Sequence, residues 1–320
     1  MGIMDILDII IPAAIFSAAP LILTALGGVF SERAGVVNIG LEGLMVMGAF
    51  IGATFTLFAQ SWGFGAWSPW FALLVAAVAG GLFSLLHALA TVTFRADHVV
   101  SGVAINFLAT GLGLFLTKKI FDSGQSPYID QRIYKMNIPV LKDIPIIGPL
   151  FFQHAYLTSY LAIILAFVVW FVIFKTPFGL RLRSVGEHPM AADTMGINVT
   201  KMRYIGVMLS GVFGGLGGAV YVTSISTNFS ASTIAGQGYM ALAAMIFGKW
   251  NPLGALGAAL FFGFAQSLSV IGGAIPLLDG IPTVYLLIAP YVLTILALAG
   301  FIGRAEAPKA DGINYIKGER

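Results

Sequence analysis

The chain has 320 residues, of which 58% are hydrophobic and only 10% are charged, and its formal net charge is +3. Soluble domains carry about 25% charged residues, so this composition excludes an ordinary soluble protein. The lack of cysteine excludes a disulfide framework, a thiolate metal site and a cysteine nucleophile. The sequence therefore predicts an all-α, polytopic membrane protein with a single transmembrane domain over residues 1–320.

The uncharged stretches are long enough for roughly eight to ten transmembrane helices at about 20 residues per crossing. The predicted segments are 9–30, 40–60, 70–94, 98–117, 156–174, 204–224, 236–248, 252–274 and 283–303. The seventh is too short to span a bilayer comfortably, and Gly236 and Gly238 at its head favour a discontinuous helix. The first lacks the basic n-region of a signal peptide, so we treat it as a retained membrane segment.

If the segments alternate in direction, one side of the membrane receives twelve Lys and Arg residues and the other receives five. The positive-inside rule assigns the first side to the cytoplasm, which explains the basic charge without a nucleic-acid partner. This assignment gives a cytoplasmic loop at 175–203, a cytoplasmic tail at 304–320 and an external loop at 118–155. The external loop is either an ordered cap or docking surface, or a tether.

The side of the N-terminus stays open at this stage. Alternation of nine segments would put it outside. Pro12 and Pro20 can break the first segment, however, and the Gly-rich stretch 35–43 can dip into the membrane.

No energy-coupling or catalytic pattern occurs in the sequence. Gly248 and Lys249 are followed by Trp250, so there is no P-loop, and the four histidines form no zinc pattern. A proton-coupled carrier needs ionisable groups deep in the bilayer, and the candidates are His87 and, if its segment is embedded, Glu42. A lone histidine is more typical of a hydrogen-bonded packing residue. Energy for transport would then come from a partner, and no cofactor or metal is expected.

The loop 175–203 contains the signals of a short helix. Pro189 suits the first position of a helix running to Met195, Gly196 can end it, and Asn198 can cap the following helix. A helix this short is not stable alone, because isolated helices below about 12 residues are marginal. It needs a surface on which to pack.

A second pattern concerns helix packing. Gly206, Ser210, Gly214 and Gly218 recur every four residues on one face of the segment 204–224. Such small-residue faces let another helix backbone approach closely. We expect this face to pack within the bundle.

The short cytoplasmic helix also carries a recognisable motif. Residues 191–196 (AADTMG), with Gly186 and Glu187 just before them, resemble the coupling-helix motif of bacterial ABC importer permeases. That motif has Glu-Ala-Ala followed three residues later by Gly, and Met190 stands here at the Glu position.

Three further segments carry the resemblance, namely 31–43 (SERAGVVNIGLEG), 176–183 (TPFGLRLR) and 241–255 (ALAAMIFGKWNPLGA). Together they look like the permeases of the ribose and branched-chain amino-acid type. Within that type they resemble the nucleoside permeases that work with basic-membrane-protein-type lipoproteins. The resemblance runs from about residue 31 to residue 303.

The resemblance implies a transport subunit, not an enzyme, that crosses the bacterial cytoplasmic membrane in contact with lipid. The implied partners are a separate ABC ATPase, a second homologous permease subunit and an extracytoplasmic substrate-binding lipoprotein. The helix 189–196 would sit in a cleft of the ATPase and transmit its closure. The coupling residues implied are Arg181, Arg183, Gly186, Glu187, Pro189, Ala191, Ala192, Asp193 and Gly196. The two arginines would flank that contact, or serve only the positive-inside topology.

A nucleoside is polar but uncharged, so its pathway needs hydrogen-bonding groups and flat apolar surfaces. Candidate lining residues are Asn38, Glu42, Asn106, Asn228 and Gln237, with Phe107, Phe229 or Tyr239 to stack against a base. An unsatisfied amide at Asn106 would be costly in hydrocarbon, although an interhelical hydrogen bond would also account for this residue. Glu42 belongs either to a broken helix facing a cavity or to a cytoplasmic turn paired with Arg33.

The function predicted from these features is that of a permease subunit of an ATP-driven ABC importer for nucleosides, with purine nucleosides such as guanosine expected. A permease for ribose or another sugar is the nearest alternative. A secondary carrier or channel is the second alternative, and it predicts uptake that responds to ion gradients without an ATPase partner. A membrane enzyme has no supporting catalytic constellation.

Overall fold

The computed structural model describes residues 3–271, apart from 140, 146 and 154, together with 285, 288, 292 and 306–318. Its helices are α1 (Ile3–Arg33), α2 (Leu41–Ser61), α3 (Ser68–Ala88), α4 (His98–Phe121), α5 (Leu157–Lys175), α6 (Pro177–Glu187), α7 (Pro189–Thr194), α8 (Val199–Val220), α9 (Gln237–Phe247) and α10 (Pro252–Ile271). The π-helical turns Leu89–Thr93 and Tyr221–Ser226 extend α3 and α8. The predicted segment 283–303 falls outside the described residues, apart from three isolated positions.

The predicted all-α polytopic class is confirmed. Seven of the described helices are long and apolar enough to cross a membrane. In addition, α9 is the one shorter apolar helix in the described part of the chain. Strand pairing in the described part of the chain is limited to two isolated bridges. α1 continues through Pro12 and Pro20, so these prolines do not break it.

The polar groups cluster at two opposite faces of the helix bundle. At one of them, named here the basic face, Arg33 Nε donates to the Trp250 carbonyl at 2.9 Å and the Ala310 amide donates to the Gly186 carbonyl at 2.9 Å. At the other, the loop face, the Ile129 amide donates to the Thr227 carbonyl at 2.8 Å. Residues 122–156 thus pack on the end of the α8 extension.

The ends of α1 fix the side of the N-terminus. Phe16, in the first half of the helix, stacks on Tyr156 of the loop face at 3.8 Å between ring centroids. Arg33, at the other end, lies at the basic face. The described part of α1 therefore begins on the side of the loop face, opposite the C-terminal residues 306–318, a point that the sequence left open.

α8 is the central helix and packs against α1, α2 and α3. A Cβ on Gly206 would lie 2.8 Å from the Phe30 carbonyl of α1, and one on Gly214 would lie 2.8 Å from the Leu44 Cβ of α2. A Cβ on Gly218 would overlap the Met45 carbonyl oxygen. The expected close packing of this small-residue face is confirmed.

We predict that Gly218→Ala destabilises the protein by about 1–3 kcal/mol, because the added methyl group overlaps a backbone atom that cannot rotate away. The measurement is the fraction of detergent-purified protein that stays folded after heating. Gly111→Ala in α4 is the matched control, since nothing lies within 4 Å of its Cβ position. Equal losses in the two variants would contradict the packing argument.

Candidate functional site

Two helices of this protein begin in the membrane interior. Residues 34–40 between α1 and α2 are not helical, and the backbone amide of Gly43 in the first turn of α2 donates to Asn106 Oδ1 at 2.7 Å. Asn106 lies eight residues after α4 begins, which places it about 12 Å from the basic-face end of that helix. The start of α2 is therefore well inside the bundle.

α9 begins beside the same point. Gly236 caps the helix with φ +91°, and Glu42 Oε1 accepts a hydrogen bond from the Gly236 amide at 2.6 Å. Glu42 Oε2 accepts from the Gly238 amide, also at 2.6 Å. The first amides of a helix have no partner within it and carry the positive end of its dipole. One carboxylate thus satisfies two of them.

Asn106 connects the two helix starts. Its Nδ2 donates to the Ile39 carbonyl at 3.0 Å and to the Tyr239 hydroxyl at 3.0 Å, while its Oδ1 accepts from Gly43. α4 is thereby tied to the connection before α2 and to the first turn of α9. The predicted residues Glu42, Asn106 and Tyr239 meet in one network, named here the helix-start junction.

Two other predicted residues lie at the edge of this junction. Asn38 is buried and its Nδ2 donates to Ser210 Oγ of α8 at 2.9 Å. Gln237 Oε1 accepts from Gln266 Nε2 of α10 at 3.1 Å. Together they connect the junction to α8 and α10.

Other candidates lie elsewhere. Phe107 is 76% exposed on the outer surface of α4, and Asn228 lies at the loop face near Gln125. Phe229 is buried against Phe50, so it offers no free ring face. The structure does not bring these three residues to the junction, because they lie on the outer surface of α4, at the loop face and in the core.

The pairing of Glu42 with Arg33 is wrong. Arg33 lies at the basic face, where its Nε donates to the Trp250 carbonyl and its Nη1 lies 3.9 Å from Glu187 Oε1. Glu42 lies instead in the bundle interior. His87, by contrast, is a hydrogen-bonded packing residue as expected. Its ring nitrogens contact Ser101 Oγ at 2.8 Å and the Val37 carbonyl at 3.0 Å.

The predicted short helix at the basic face is present as α7. It begins at Pro189, and Gly196 adopts φ +81° just after it. Asn198 Oδ1 accepts from the Lys201 amide at 2.8 Å and so caps α8. Ala192 is buried against the bundle, while Ala191 and Gly196 are exposed.

α6 was not predicted, although its signals are present in the sequence. Thr176 Oγ1 accepts from the Gly179 amide at 3.2 Å, and Pro177 occupies the first helical position. The helix packs on α5 and leads directly into α7. α6 and α7 together form a helical pair on the basic face.

The two arginines of α6 have different environments. Arg181 is exposed, whereas Arg183 Nε donates to the Ile173 carbonyl at 3.2 Å and its guanidinium lies 4.9 Å from the Phe174 ring centroid. Arg183 is therefore turned towards α5 and is only partly exposed, and its predicted place beside the ATPase contact stays a prediction. Gly186 is also buried, since a Cβ there would overlap the Arg33 carbonyl.

The described C-terminal residues 306–318 lie against this helical pair, which the sequence did not reveal. Lys309 donates its amide to Glu187 Oε2 at 3.4 Å, and Asp311 lies against the carboxyl of Glu32 at the end of α1. Burial and the neighbouring carboxyl of Glu32 raise the pKa of Asp311 above its ordinary value.

We predict that Glu42→Gln lowers stability by about 1–3 kcal/mol and slows transport, because an amide nitrogen cannot accept from the second buried backbone N–H. Thermal unfolding in detergent and uptake by cells check the two effects. Phe107→Leu on the exposed side of α4 is the control and should leave stability unchanged. Wild-type stability of Glu42→Gln would show that the carboxylate does not hold the start of α9.

Comparison with known proteins agrees with this architecture. The chain is 65% identical over 320 residues to the guanosine ABC transporter permease protein NupQ of Bacillus subtilis, and the match covers all of both chains. It is 54% identical over 317 residues to the nucleoside ABC transporter permease protein NupC of Lactococcus lactis, covering 99% of each chain. It is 33% identical to the putative glucose ABC transporter permease protein TsgC13 of Haloferax volcanii, over 81% of this chain and 76% of that one.

No solved structure matches the chain. The family described as the permease component of branched-chain amino acid transport systems matches residues 10–298. This range includes the helix-start junction and the helices α6 and α7. The chain therefore belongs to that permease family.

Proposed function

We propose that this chain is a membrane-spanning permease subunit of an ABC importer for nucleosides, with purine nucleosides such as guanosine as its substrates. The observation that carries the proposal is the full-length 65% identity to a permease whose name specifies guanosine. The 54% identity to a nucleoside permease supports the same substrate class. A separate ATPase supplies the energy.

The chemistry of the helix-start junction supports a neutral, polar substrate. Both carboxylate oxygens of Glu42 already accept backbone hydrogen bonds, so this residue presents no free charge to a solute. Asn106 is engaged by three hydrogen bonds, whereas the Tyr239 hydroxyl accepts from Asn106, keeps its own proton to donate, and belongs to a half-exposed side chain. Groups of this kind bind hydroxyls and base edges without attracting ions.

The arrangement also argues against a proton-coupled carrier. Such a carrier must bind and release a proton within the membrane. Glu42 is engaged by two amides, and both ring nitrogens of His87 are engaged by packing contacts. These two positions are the proton-coupling candidates that the sequence suggested.

The basic face is proposed to be cytoplasmic and to bind the ATPase through α6 and α7. Twelve of the seventeen Lys and Arg residues fall on the side that contains this face, as the positive-inside rule requires. The loop face then receives a substrate-binding lipoprotein on residues 122–156. The whole chain forms one transmembrane domain of a bacterial cell membrane, with lipid around its outer helices.

A second, different permease subunit is the proposed membrane partner. Bacillus subtilis and Lactococcus lactis each hold a more distant relative as well, NupP and NupB, which are 26% and 24% identical to this chain. Their names also specify guanosine and nucleoside transport. Each organism thus holds one relative that is similar to this chain and one that is more distant, which supports a heterodimer of two different permeases.

A sugar importer is the second candidate, because TsgC13 is named as a putative glucose permease. Ribose is the sugar closest to a nucleoside, and the same hydrogen-bonding groups would suit its hydroxyls. The lower identity and coverage of that match make sugar the less supported substrate.

We predict that deleting only this chain abolishes uptake of labelled guanosine by the native host, and that ATP depletion has the same effect on intact cells. Adenosine, uridine and ribose are measured in parallel, and collapse of the proton gradient at constant ATP is a separate arm. Loss of ribose uptake alone would show that the chain belongs to a sugar importer and not to a nucleoside importer. Uptake that follows the proton gradient and ignores ATP would contradict the ABC assignment.

We also predict that Ala191→Arg weakens association with the ATPase by about tenfold or more, because a long charged side chain on exposed α7 blocks close packing. Co-purification of the ATPase subunit with the permease measures this. Ser123→Arg makes the same kind of change at an exposed position of the loop face and should have no effect. Equal co-purification in both variants would contradict the docking of the ATPase on α7.

A further inference from the structure

The C-terminal residues 306–318, named here the tail, contact parts of the bundle that otherwise lie apart. α7 packs on its neighbours in the chain, α6 and α8, whereas α4 packs mainly on α2 and α3. The tail crosses the basic face between these two groups. Its contacts are backbone and side-chain hydrogen bonds with both of them.

At one end the tail holds the turn that leads into α7. The Ala310 amide donates to the Gly186 carbonyl at 2.9 Å, and the Lys309 amide donates to Glu187 at 3.4 Å. Farther along the tail, next to Asn314, Tyr315 lines a cavity of about 540 Å³ together with Asp193 of α7. The tail thus bonds to the end of α6 and lies beside α7.

At the other end the tail holds the start of α4. Asn314 Nδ2 donates to the Arg95 carbonyl at 2.8 Å, and Asn314 Oδ1 accepts from His98 Nε2 at 3.1 Å. His98 is the first residue of α4 and is buried. One side chain therefore connects the tail to the helix that carries Asn106.

Between these ends the tail is fixed to α8 and α1. The buried Arg203 Nη1 donates to the Ile313 carbonyl at 2.9 Å, and Asp311 lies beside Glu32. Glu32 Oε2 in turn accepts from Trp250 Nε1, just beyond α9, at 2.5 Å. These buried contacts make the tail an integral layer of the basic face.

We propose that the tail transmits the movement of α7 to α4 and so to the helix-start junction, with Asn314 as the positioning residue at the α4 end. This inference rests on the proposed function, because it assigns the tail a part in ATP-driven transport. The physical reason is that α4 bonds both to the tail, through Arg95 and His98, and to the junction, through Asn106. A displacement of the α6–α7 turn would therefore be transmitted to α4 through the hydrogen bonds of the tail.

The test uses the complete importer, with permeases, ATPase and lipoprotein, in proteoliposomes loaded with ATP. Asn314→Ala is compared with Ile313→Ala, whose side chain is 58% exposed and whose backbone carbonyl still accepts from Arg203. Three quantities are measured: assembly with the ATPase, ATP hydrolysis, and labelled guanosine imported per ATP hydrolysed. A permease that ends at residue 305 is a second, larger perturbation.

We expect Asn314→Ala to assemble and hydrolyse ATP normally but to import about three- to tenfold less guanosine per ATP, the factor that corresponds to lost hydrogen bonds of this kind. Ile313→Ala should match the wild type. The inference is overturned if Asn314→Ala imports the wild-type amount per ATP, or if it fails to assemble, because its role would then be structural only. Lack of guanosine import by the wild-type complex would contradict the proposed function instead.

Discussion

The start of a helix inside a membrane is the constraint on which this structure depends. A backbone amide that is left unpaired in hydrocarbon costs several kcal/mol. α9 begins at such a place, and Glu42 of α2 accepts hydrogen bonds from the Gly236 and Gly238 amides. Because that carboxylate comes from the first turn of α2, the two helix starts must lie side by side, and Asn106 of α4 completes the contact.

The close packing around α8 makes this arrangement possible. Its glycines bring α1, α2 and α3 so near that a single Cβ at Gly218 would overlap a backbone carbonyl. Gly238 shows the same principle at the junction, since a Cβ there would overlap the backbone of Glu42. The short hydrogen bonds from backbone amides to the Glu42 carboxylate require α2 and α9 to approach closely. Glycine at position 238 permits this approach, so the glycine and the capping contact depend on each other.

The basic face holds the contacts through which we propose that ATPase movement reaches this site. α6 and α7 protrude as a helical pair, and the buried Arg203, Asp311 and Glu32 beneath them fix the tail to α8 and α1. Trp250 joins Glu32 to the end of α9, so the two ends of that short helix are held by carboxylates, one in the interior and one at the basic face. A rigid displacement of the helical pair therefore reaches the junction through bonded groups and not through flexible connections.

The sequence by itself determined the membrane class, most segment positions, the short helix after Pro189 and its ending at Gly196, because hydrophobic length and capping residues act locally. It also singled out Glu42, Asn106 and Tyr239, since polar groups are rare in such segments. Their partners were decided by the tertiary structure alone. Glu42 lies nearly 200 residues from the amides it binds, and local patterns carry no information about such contacts.

The same reasoning explains what the sequence left open at the basic face. Arg183 and Arg181 look equivalent in sequence, but the helical turn of α6 directs one guanidinium to Phe174 and leaves the other exposed. The tail carries no apolar periodicity, and its place beside Gly186 and His98 follows only from grooves that several helices form together. Local sequence fixed which helices exist, whereas the packing of distant small and polar residues decided where they meet.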